Sequence, residues 1–236
     1  MPHVDAHTDE REYNLTPIQS ETQSVSESLS PSYEASPASD LALLAPETVL
    51  EFWFGSGDSV ALSYAERRKL WFGKDEGVDQ QIRQLFSDTY DQAVAGHCKI
   101  WQSSPVGCLA LILLLDQFPR NMFRGDAKAF ATDTQALKIT QRSLAQGFDR
   151  ELHPVQRLFL YLPLEHSENR DHQAQAVTLF QALADEHQEL NDTYVYALKH
   201  QAVIERFGRF PHRNEILGRP STPEEIAFLE EPGSSF

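Results

Sequence analysis

The stretch from Val106 to Leu115, which reads VGCLALILLL, is apolar at every position and is followed directly by Asp116. Ser104 and Pro105 precede it, and both are residue types that favour the start of a helix. The run has about half of the roughly 20 residues that a bilayer span requires. A helix without a polar face has to be surrounded by other helices. The sequence therefore predicts that this stretch is the central core helix of a globular domain.

Helix signals also stand on the N-terminal side of this core. Pro46 suits the first turn of a helix that Gly55 and Gly57 would end. Ser63 and Glu66 have the spacing of a capping box for a second helix. A third, amphipathic helix is predicted from apolar residues that recur at steps of three and four.

The later part of the chain contains further helix signals, whose starts are predicted at Asp126, at His153–Pro154 and at Thr222–Pro223. Val195 and Leu198 count among the apolar residues of a long helix near the end. Pro163 lacks a backbone donor and is expected to break or kink its helix just before Glu165. No stretch alternates as a strand would. The predicted fold is all-α and built from antiparallel helix hairpins, because the links between its helices are short.

Residues 1–39 differ in composition from the rest, since they hold eight serines and four prolines and their strongly apolar residues stand singly. Such a segment cannot bury enough surface to offset its ordering entropy. We expect a disordered Ser/Pro-rich acidic arm, either inert or a regulated partner-binding segment, and a single all-helical domain over residues 40–236.

The overall charge of −15 argues against partners with phosphate backbones or anionic lipid surfaces. Nucleic acid and membranes are therefore not expected partners. The two cysteines, Cys98 and Cys108, do not make a disulfide framework, and the N-terminus lacks the pattern of a signal peptide. A cytoplasmic location is the expectation, and the oligomeric state is left open.

Three polar blocks interrupt the apolar pattern, at residues 115–121, 164–168 and 207–214. The first and third echo each other, as FPRN and FPHRN, and each follows the end of a predicted apolar helix. A duplicated helix hairpin and chance both remain possible sources of so short an echo.

The three blocks stand with Phe52-Trp53-Phe54, with Trp71-Phe72 and with the late segment LGRPST at 217–222. In this order they resemble, over about residues 47–230, the bacterial family catalogued as domain of unknown function 924. The resemblance implies an all-helical, tetratricopeptide-like superhelical bundle. It implies no reaction, and the arm before residue 40 departs from the family pattern.

The polar blocks, together with one histidine of the last long helix, supply the candidate ligand-binding residues, which are Asp116, Gln117, Arg120, Asn121, Glu165, His166, Glu168, His200, Arg209, His212, Arg213 and Asn214. Two interpretations are open. Asp116, Glu165 and Glu168 could pair with the arginines and lock helix ends together. Alternatively, surplus arginines beside the histidines could form a pocket for a carboxylate or phosphate. In either case Asp116 is expected to pair with an arginine, because an isolated buried carboxylate is costly.

The best hypothesis from the sequence is a binding module for a small anionic ligand or a peptide carboxylate, in a groove lined by the three blocks. One alternative is a hydrolase-like enzyme in which Glu165 or Asp116 works with His166 or His200 in acid–base chemistry. Another is an interaction scaffold without a small-molecule site. No glycine-rich phosphate loop and no paired Glu-x-x-His motif is present, so neither a cofactor nor a metal ion is predicted.

Overall fold

The computed structural model describes residues 44–55 and 64–234. Their helices are α1 (Pro46–Phe54), α2 (Tyr64–Phe72), α3 (Glu76–Val94), α4 (Pro105–Ile112), α5 (Phe118–Met122), α6 (Asp133–Gln146), α7 (Pro154–Glu165), α8 (Arg170–Glu186), α9 (Asn191–Phe207) and α10 (Pro223–Leu229). Short 3₁₀ turns connect several of them, and these two ranges contain no strand, so the protein is all-α. The expectations for residues 1–39, for Gly57 and for the cap at Ser63 lie outside the described residues.

The core helix α4 forms as its sequence predicts. The Ser104 hydroxyl accepts a hydrogen bond from the backbone N–H of Gly107 at 3.1 Å, and Pro105 occupies the first turn. Every residue from Gly107 to Ile112 is buried. A Cβ on Gly107 would lie 2.1 Å from the carbonyl oxygen of Trp101, so glycine lets α4 approach the preceding 3₁₀ turn.

A π-helical turn, Leu113–Gln117, follows α4 and carries Asp116. The N–H of Phe118 donates to the carbonyl of Leu113, which is the wider spacing of a π-turn. Pro119 has no N–H to give to the carbonyl of Leu115, and the hydroxyl of Thr132 donates to that carbonyl instead, at 2.6 Å. The apolar run of the sequence therefore ends in a turn that differs from an ordinary α-helix.

Aromatic side chains pack α1 and α2 onto α7. Phe159 of α7 has its ring centroid within 5.7 Å of Trp53, Phe54 and Trp71, in edge-to-face arrangements. The indole N–H of Trp71 also donates to the carbonyl of Trp53 at 2.9 Å. Farther along the chain α7, α8 and α9 pack consecutively through short links, which makes them antiparallel neighbours.

Two helix boundaries differ from the sequence prediction. Asp126 does not start α6; its carboxylate caps the 3₁₀ turn Ala127–Phe130, and α6 begins at Asp133. Pro163 was predicted to break or kink its helix, and a break is wrong, since α7 continues through this buried proline to Glu165. In the same turn the hydroxyl of Thr140 donates to the carbonyl of Leu160 at 2.9 Å and satisfies a backbone acceptor there.

The apolar face of α9 differs in part from the prediction, which included Val195, Leu198, Val203 and Ile204: the last two are buried as predicted, and the first two are not. Val195 and Leu198 are 41% and 39% exposed, whereas Ala197 and Ile204 are fully buried. In the described part of the chain no helix combines the length and apolar character that a membrane span needs.

Candidate functional site

A cavity of about 690 Å³ lies beside α2, α7 and α9. Eight of the candidate residues from the sequence line it, namely Gln117, Arg120, Asn121, Glu165, His166, His200, His212 and Arg213. Its apolar wall includes Trp71, Phe72, Phe130, Leu158 and Leu162. Side chains far apart in the sequence thus surround one space whose size suits a small organic molecule.

Asp133, at the start of α6, joins the first and third polar blocks. Nη1 and Nη2 of Arg120 donate to its two carboxylate oxygens at 3.1 Å each, and Nη1 of Arg213 lies 3.4 Å from Oδ2. The arginines of the two Phe-Pro segments therefore meet at one carboxylate. Burial raises the pKa of Asp133, although the charge of Arg120 opposes this.

Asp116 is completely buried beneath the cavity floor. Its Oδ1 lies 3.3 Å from Nη1 of Arg120, so the predicted pairing with an arginine is confirmed, and that arginine belongs to the same polar block. Burial would raise the pKa of Asp116, but Arg120 and hydrogen bonds from His166 and Gln117 hold it well below its usual range. Asp116 is therefore ionised in the folded protein.

His166 stands between Asp116 and the cavity. Its Nδ1 lies 2.8 Å from Oδ1 of Asp116. Burial, together with the charge of Arg120, lowers the pKa of His166, so the ring is neutral at pH 7. Because the ionised Asp116 can only accept, Nδ1 of His166 carries the proton and Nε2 carries a lone pair.

Glu165 and His200 form a second acid–imidazole pair, with Oε1 of Glu165 3.1 Å from Nδ1 of His200. Burial and the negative charge of Asp116 raise the pKa of Glu165 to about 8. Burial lowers the pKa of His200 to about 3. Both groups are consequently neutral at pH 7, and Glu165 retains its proton. Of the two interpretations left open by the sequence, the one in which the acidic residues pair with arginines does not hold for Glu165, which pairs with a histidine.

The ring of Phe210 contacts three polar side chains that line the cavity. Its ring centroid lies 5.5 Å from that of His200, 5.6 Å from that of His212 and 4.5 Å from the guanidinium carbon of Arg213. Burial and the charge of Arg213 lower the pKa of His212 to about 4. The three histidines of the cavity are thus neutral at pH 7.

Arg213 contacts two aromatic rings, with its guanidinium carbon 4.8 Å from the centroid of Phe130 and 4.5 Å from that of Phe210. The side chain is only 6% exposed, and its buried Nε has no hydrogen-bond partner among the described residues. Burial and the neighbouring charge of Arg120 lower the pKa of Arg213 to about 10, so it stays protonated at neutral pH. A cation with incomplete pairing at a cavity wall is an anion-binding feature.

The family model of bacterial proteins of unknown function designated DUF924 matches residues 49–233. The chain belongs to this family. A solved structure, that of the protein of unknown function ATU0120 from Agrobacterium tumefaciens, is similar at 36% identity and a TM-score of 0.69. The similarity covers 78% of this chain and 96% of that chain. No curated protein matches the chain at a significant level.

In this DUF924 protein four candidate residues do not line the cavity, namely the buried Asp116 and three residues that lie farther away, Glu168, Arg209 and Asn214. Glu168 accepts two hydrogen bonds from Arg219 at 2.8 and 3.0 Å, and Arg209 donates to both carboxylate oxygens of Glu225. Asn214 is buried and donates to Glu225 at 3.3 Å. These bonds join the second and third blocks to residues 219–225, and Arg209 and Glu225 line a separate cavity of about 550 Å³ there.

Sequence reasoning missed Asp133 and the aromatic wall of the DUF924 cavity. Asp133 stands in the first turn of α6, where an acidic residue reads as ordinary helix capping. Phe130 lies in the 3₁₀ turn before it and was assigned to the same helix. The echo of FPRN and FPHRN was a sequence signal for the two arginines that meet at Asp133, but it was interpreted only as a duplication or a chance match.

The arrangement as a whole combines an anion-binding guanidinium, an oriented imidazole and a protonated carboxylic acid around one cavity. Among residues 44–55 and 64–234, no group of three or more histidine, cysteine or acidic side chains has the geometry to hold a metal ion. The arginines, the imidazoles and Glu165 around the cavity are side chains suited to charge recognition and proton transfer.

Proposed function

We propose that this protein binds a small organic anion, or the terminal carboxylate of a peptide, in the cavity between α2, α7 and α9. The observation that carries the proposal is Arg213, a buried cation whose Nε has no described partner and whose contact with Asp133 is long, at 3.4 Å. An anionic oxygen reaching this guanidinium would complete its hydrogen bonding. Charge-assisted bonds of this kind are about twice as strong as neutral ones.

The charge on the cavity wall supports the same proposal. Five cationic side chains line it, namely Arg68, Lys74, Arg120, Arg124 and Arg213. Glu165 is the acidic residue on that wall within the described chain, and its raised pKa of about 8 leaves it neutral at pH 7. Arg68, Arg120 and Arg124 pair with carboxylates that do not line the cavity, so the support for an anion comes from Lys74 and from Arg213, whose ion pair is long at 3.4 Å.

The rest of the wall indicates that the ligand has an apolar part. Trp71, Phe72 and Phe130 contribute ring surfaces, and Leu158 and Leu162 contribute aliphatic ones. A bare inorganic ion would leave these surfaces unfilled. The proposal therefore favours an organic carboxylate or phosphate ester over free phosphate.

We also place this function in the cytoplasm. Cys98 and Cys108 are buried free thiols, which supports a reducing compartment.

The scaffold alternative, in which no small molecule binds, predicts that no anion changes the stability of the protein.

The test is a titration with acetate, benzoate, phenyl phosphate, inorganic phosphate and a tripeptide with a free or an amidated C-terminus, followed by calorimetry and thermal unfolding. At 100 times its dissociation constant a true ligand adds about 2.7 kcal/mol to the free energy of unfolding. We expect benzoate or phenyl phosphate to bind more tightly than acetate or inorganic phosphate. Binding of the free but not the amidated peptide would identify a peptide carboxylate.

Arg213→Met is the decisive variant, because methionine keeps an unbranched apolar stem against Phe130 and Phe210 but removes the charge. Arg157→Met is its matched control, since Arg157 pairs with Glu186 away from the cavity. Loss of anion binding in the first variant alone supports the proposal. Equal affinities in both variants and the native protein would contradict it.

A further inference from the structure

The cavity contains an imidazole that can accept a proton, His166, and a carboxyl group, Glu165, next to it in the sequence. The binding of an anion alone requires neither of them. We propose that the cavity is also a catalytic site, which moves a proton within a bound 2-oxo carboxylate, with Nε2 of His166 as the base and the carboxylic acid of Glu165 as the acid. This inference rests on the proposed anion binding, because Arg213 would hold the carboxylate of the substrate.

The buried carboxylate of Asp116 orients the proposed base, His166. Nδ1 of His166 donates to the buried Asp116 at 2.8 Å, which fixes the tautomer and the orientation of the ring. Nε2 has no hydrogen-bond partner within the described ranges, and the side chain, which is 14% exposed, lines the cavity. An imidazole held by a carboxylate, with its other nitrogen toward a ligand space, is the arrangement of a general base.

The acid is positioned by the neighbouring helix. Nδ1 of His200 lies 2.9 Å from the carbonyl oxygen of Tyr196, and because a carbonyl can only accept, this nitrogen carries the proton. Oε1 of Glu165 lies 3.1 Å from this protonated nitrogen, so a proton on Oε1 would lie against the N–H of His200. The proton of the neutral Glu165 is then on Oε2, where it can be donated to a ligand.

The backbone of Glu165 is held as firmly as its side chain. Nε2 of the fully buried Gln173 donates to the carbonyl of Glu165 at 2.6 Å and to that of Ser167 at 2.7 Å. These bonds satisfy carbonyls at the end of α7 that lack helical partners. The acid and the base are consecutive residues, so this one cap positions both.

The reaction follows from the groups that are present. Nε2 of His166 takes a proton from C3 of the 2-oxo carboxylate, and the C–H electron pair becomes a C2=C3 double bond. The carbonyl π-electron pair moves onto oxygen, which receives the proton of Glu165 and becomes the enol hydroxyl. Return of a proton to C3 and of the hydroxyl proton to Glu165 restores both groups, so no other reactant is needed. Among the described residues that line the cavity there is no serine or cysteine, so a covalent acyl transfer has no nucleophile of these types there.

The experiment follows exchange of the C3 hydrogens of phenylpyruvate and pyruvate for deuterium in D₂O by proton NMR, with full-length protein. We expect a saturable acceleration over buffer that is competitively inhibited by benzoylformate, a 2-oxo carboxylate without a C3 hydrogen. His166→Asn retains a donor toward Asp116 but has no base, and Glu165→Gln has no proton to give. Each should lower the exchange rate constant at saturation about 100-fold or more, the usual contribution of one acid or base.

His97→Asn is the matched control, because His97 is exposed and bonds Gln92 far from the cavity, and it should exchange as the native protein does. If His166→Asn fails to fold, Glu165→Gln alone decides the question. Binding of phenylpyruvate without exchange, or exchange that both variants retain, would overturn the catalytic inference and leave the anion-binding function standing. If neither 2-oxo carboxylate binds, the catalytic inference is overturned, and the titration with the other anions decides the proposed function separately.

Discussion

Two clusters in this protein pair arginines with carboxylates. In one cluster the arginines make full sets of hydrogen bonds, and in the other they do not. At the C-terminal side, Arg219 binds Glu168 through both Nη atoms, and Arg209 binds both oxygens of Glu225 at 2.6 and 2.8 Å. At the cavity, Arg213 reaches its carboxylate only at 3.4 Å and keeps an Nε without a described partner. The first cluster has little capacity left for a ligand, whereas the second does.

This difference separates the two interpretations that the sequence left open. Helix ends are indeed locked together by ion pairs, but chiefly by Glu168, Arg209 and their partners. The cavity cluster holds imidazoles and a neutral acid in addition to its arginines. An arginine whose hydrogen bonds are all satisfied by carboxylates is typical of a structural ion pair. An arginine with unsatisfied hydrogen-bond donors at a cavity wall is a candidate for ligand binding.

The largest expected effect comes from breaking the buried pair beneath the cavity. Asp116→Ala should lower the free energy of unfolding by about 3–5 kcal/mol, because it leaves the guanidinium of Arg120 undercompensated and His166 without its acceptor. Urea unfolding followed by circular dichroism measures this. Asp88→Ala, on the exposed face of α3, is the control and should change stability by less than about 0.5 kcal/mol. A loss at Asp116 no larger than the control would show that the pair contributes nothing to the fold.

A smaller effect is expected in the completed cluster. Glu168 accepts hydrogen bonds from Arg219 and from the backbone N–H of Phe210, at 2.8 Å, and its side chain is 29% exposed. Glu168→Ala should therefore cost about 2 kcal/mol, the value of charge-assisted bonds at a partly exposed site. The stabilisation by a saturating anion, read from thermal unfolding, should stay as in the native protein. If Glu168→Ala abolished the stabilisation by the anion, Glu168 would contribute to anion binding, and the two clusters would not differ in function.

Local features of this fold were predictable from the sequence, and the long-range pairs were not. The cap at Ser104 and the capping box at Thr222 depend on neighbours three residues away, so their side-chain types reveal them. The buried run in α4 follows from its composition in the same way. The π-turn at Asp116 arises from the missing N–H of Pro119 combined with Thr132, which no local pattern brings to that position.

The sequence identified most residues of the candidate site, but it did not identify which side chains contact each other there. Eight of the twelve candidate residues line the cavity because polar blocks at helix ends are where antiparallel helices bring side chains together. Asp133 and Arg213 are 80 residues apart, and a single sequence without periodicity between them contains no distance information. The burial of Arg213 against Phe130 and Phe210 could not be predicted for the same reason.

The pH dependence of stability tests the neutral acid. Folded Glu165 has a pKa of about 8, above that of an unfolded glutamic acid, so between pH 6.5 and 8 the folded state holds a proton that the unfolded state has lost. The free energy of unfolding should fall with rising pH in this window, by up to about 1.4 kcal/mol per pH unit, and level off above it.

Glu165→Gln cannot titrate and should make this segment of the profile nearly flat. The buried histidines act on the other side, because His200 and His212 have folded pKa values of about 3 and 4, and they reduce stability as the pH falls below about 6.5. Urea unfolding at half-unit steps of pH separates the two windows. A native profile that is already flat from pH 6.5 to 8 would mean that Glu165 is ionised, and the acid role would be lost with it.

The smallest expected change in stability is at Arg213. The Arg213→Met variant keeps an unbranched apolar side chain against Phe130 and Phe210, and Asp133 retains its two bonds from Arg120. It loses a long ion pair and cation–π contacts worth about 0.5–2 kcal/mol, but it also relieves the cost of a buried, incompletely bonded cation. These terms oppose each other, so the free energy of unfolding should change by less than about 1 kcal/mol, within the range of tolerated substitutions. Anion binding should nevertheless be lost, as measured by calorimetry on the same sample. A large destabilisation with no anion effect in the native protein would place Arg213 with the completed cluster, as one more lock between helix ends.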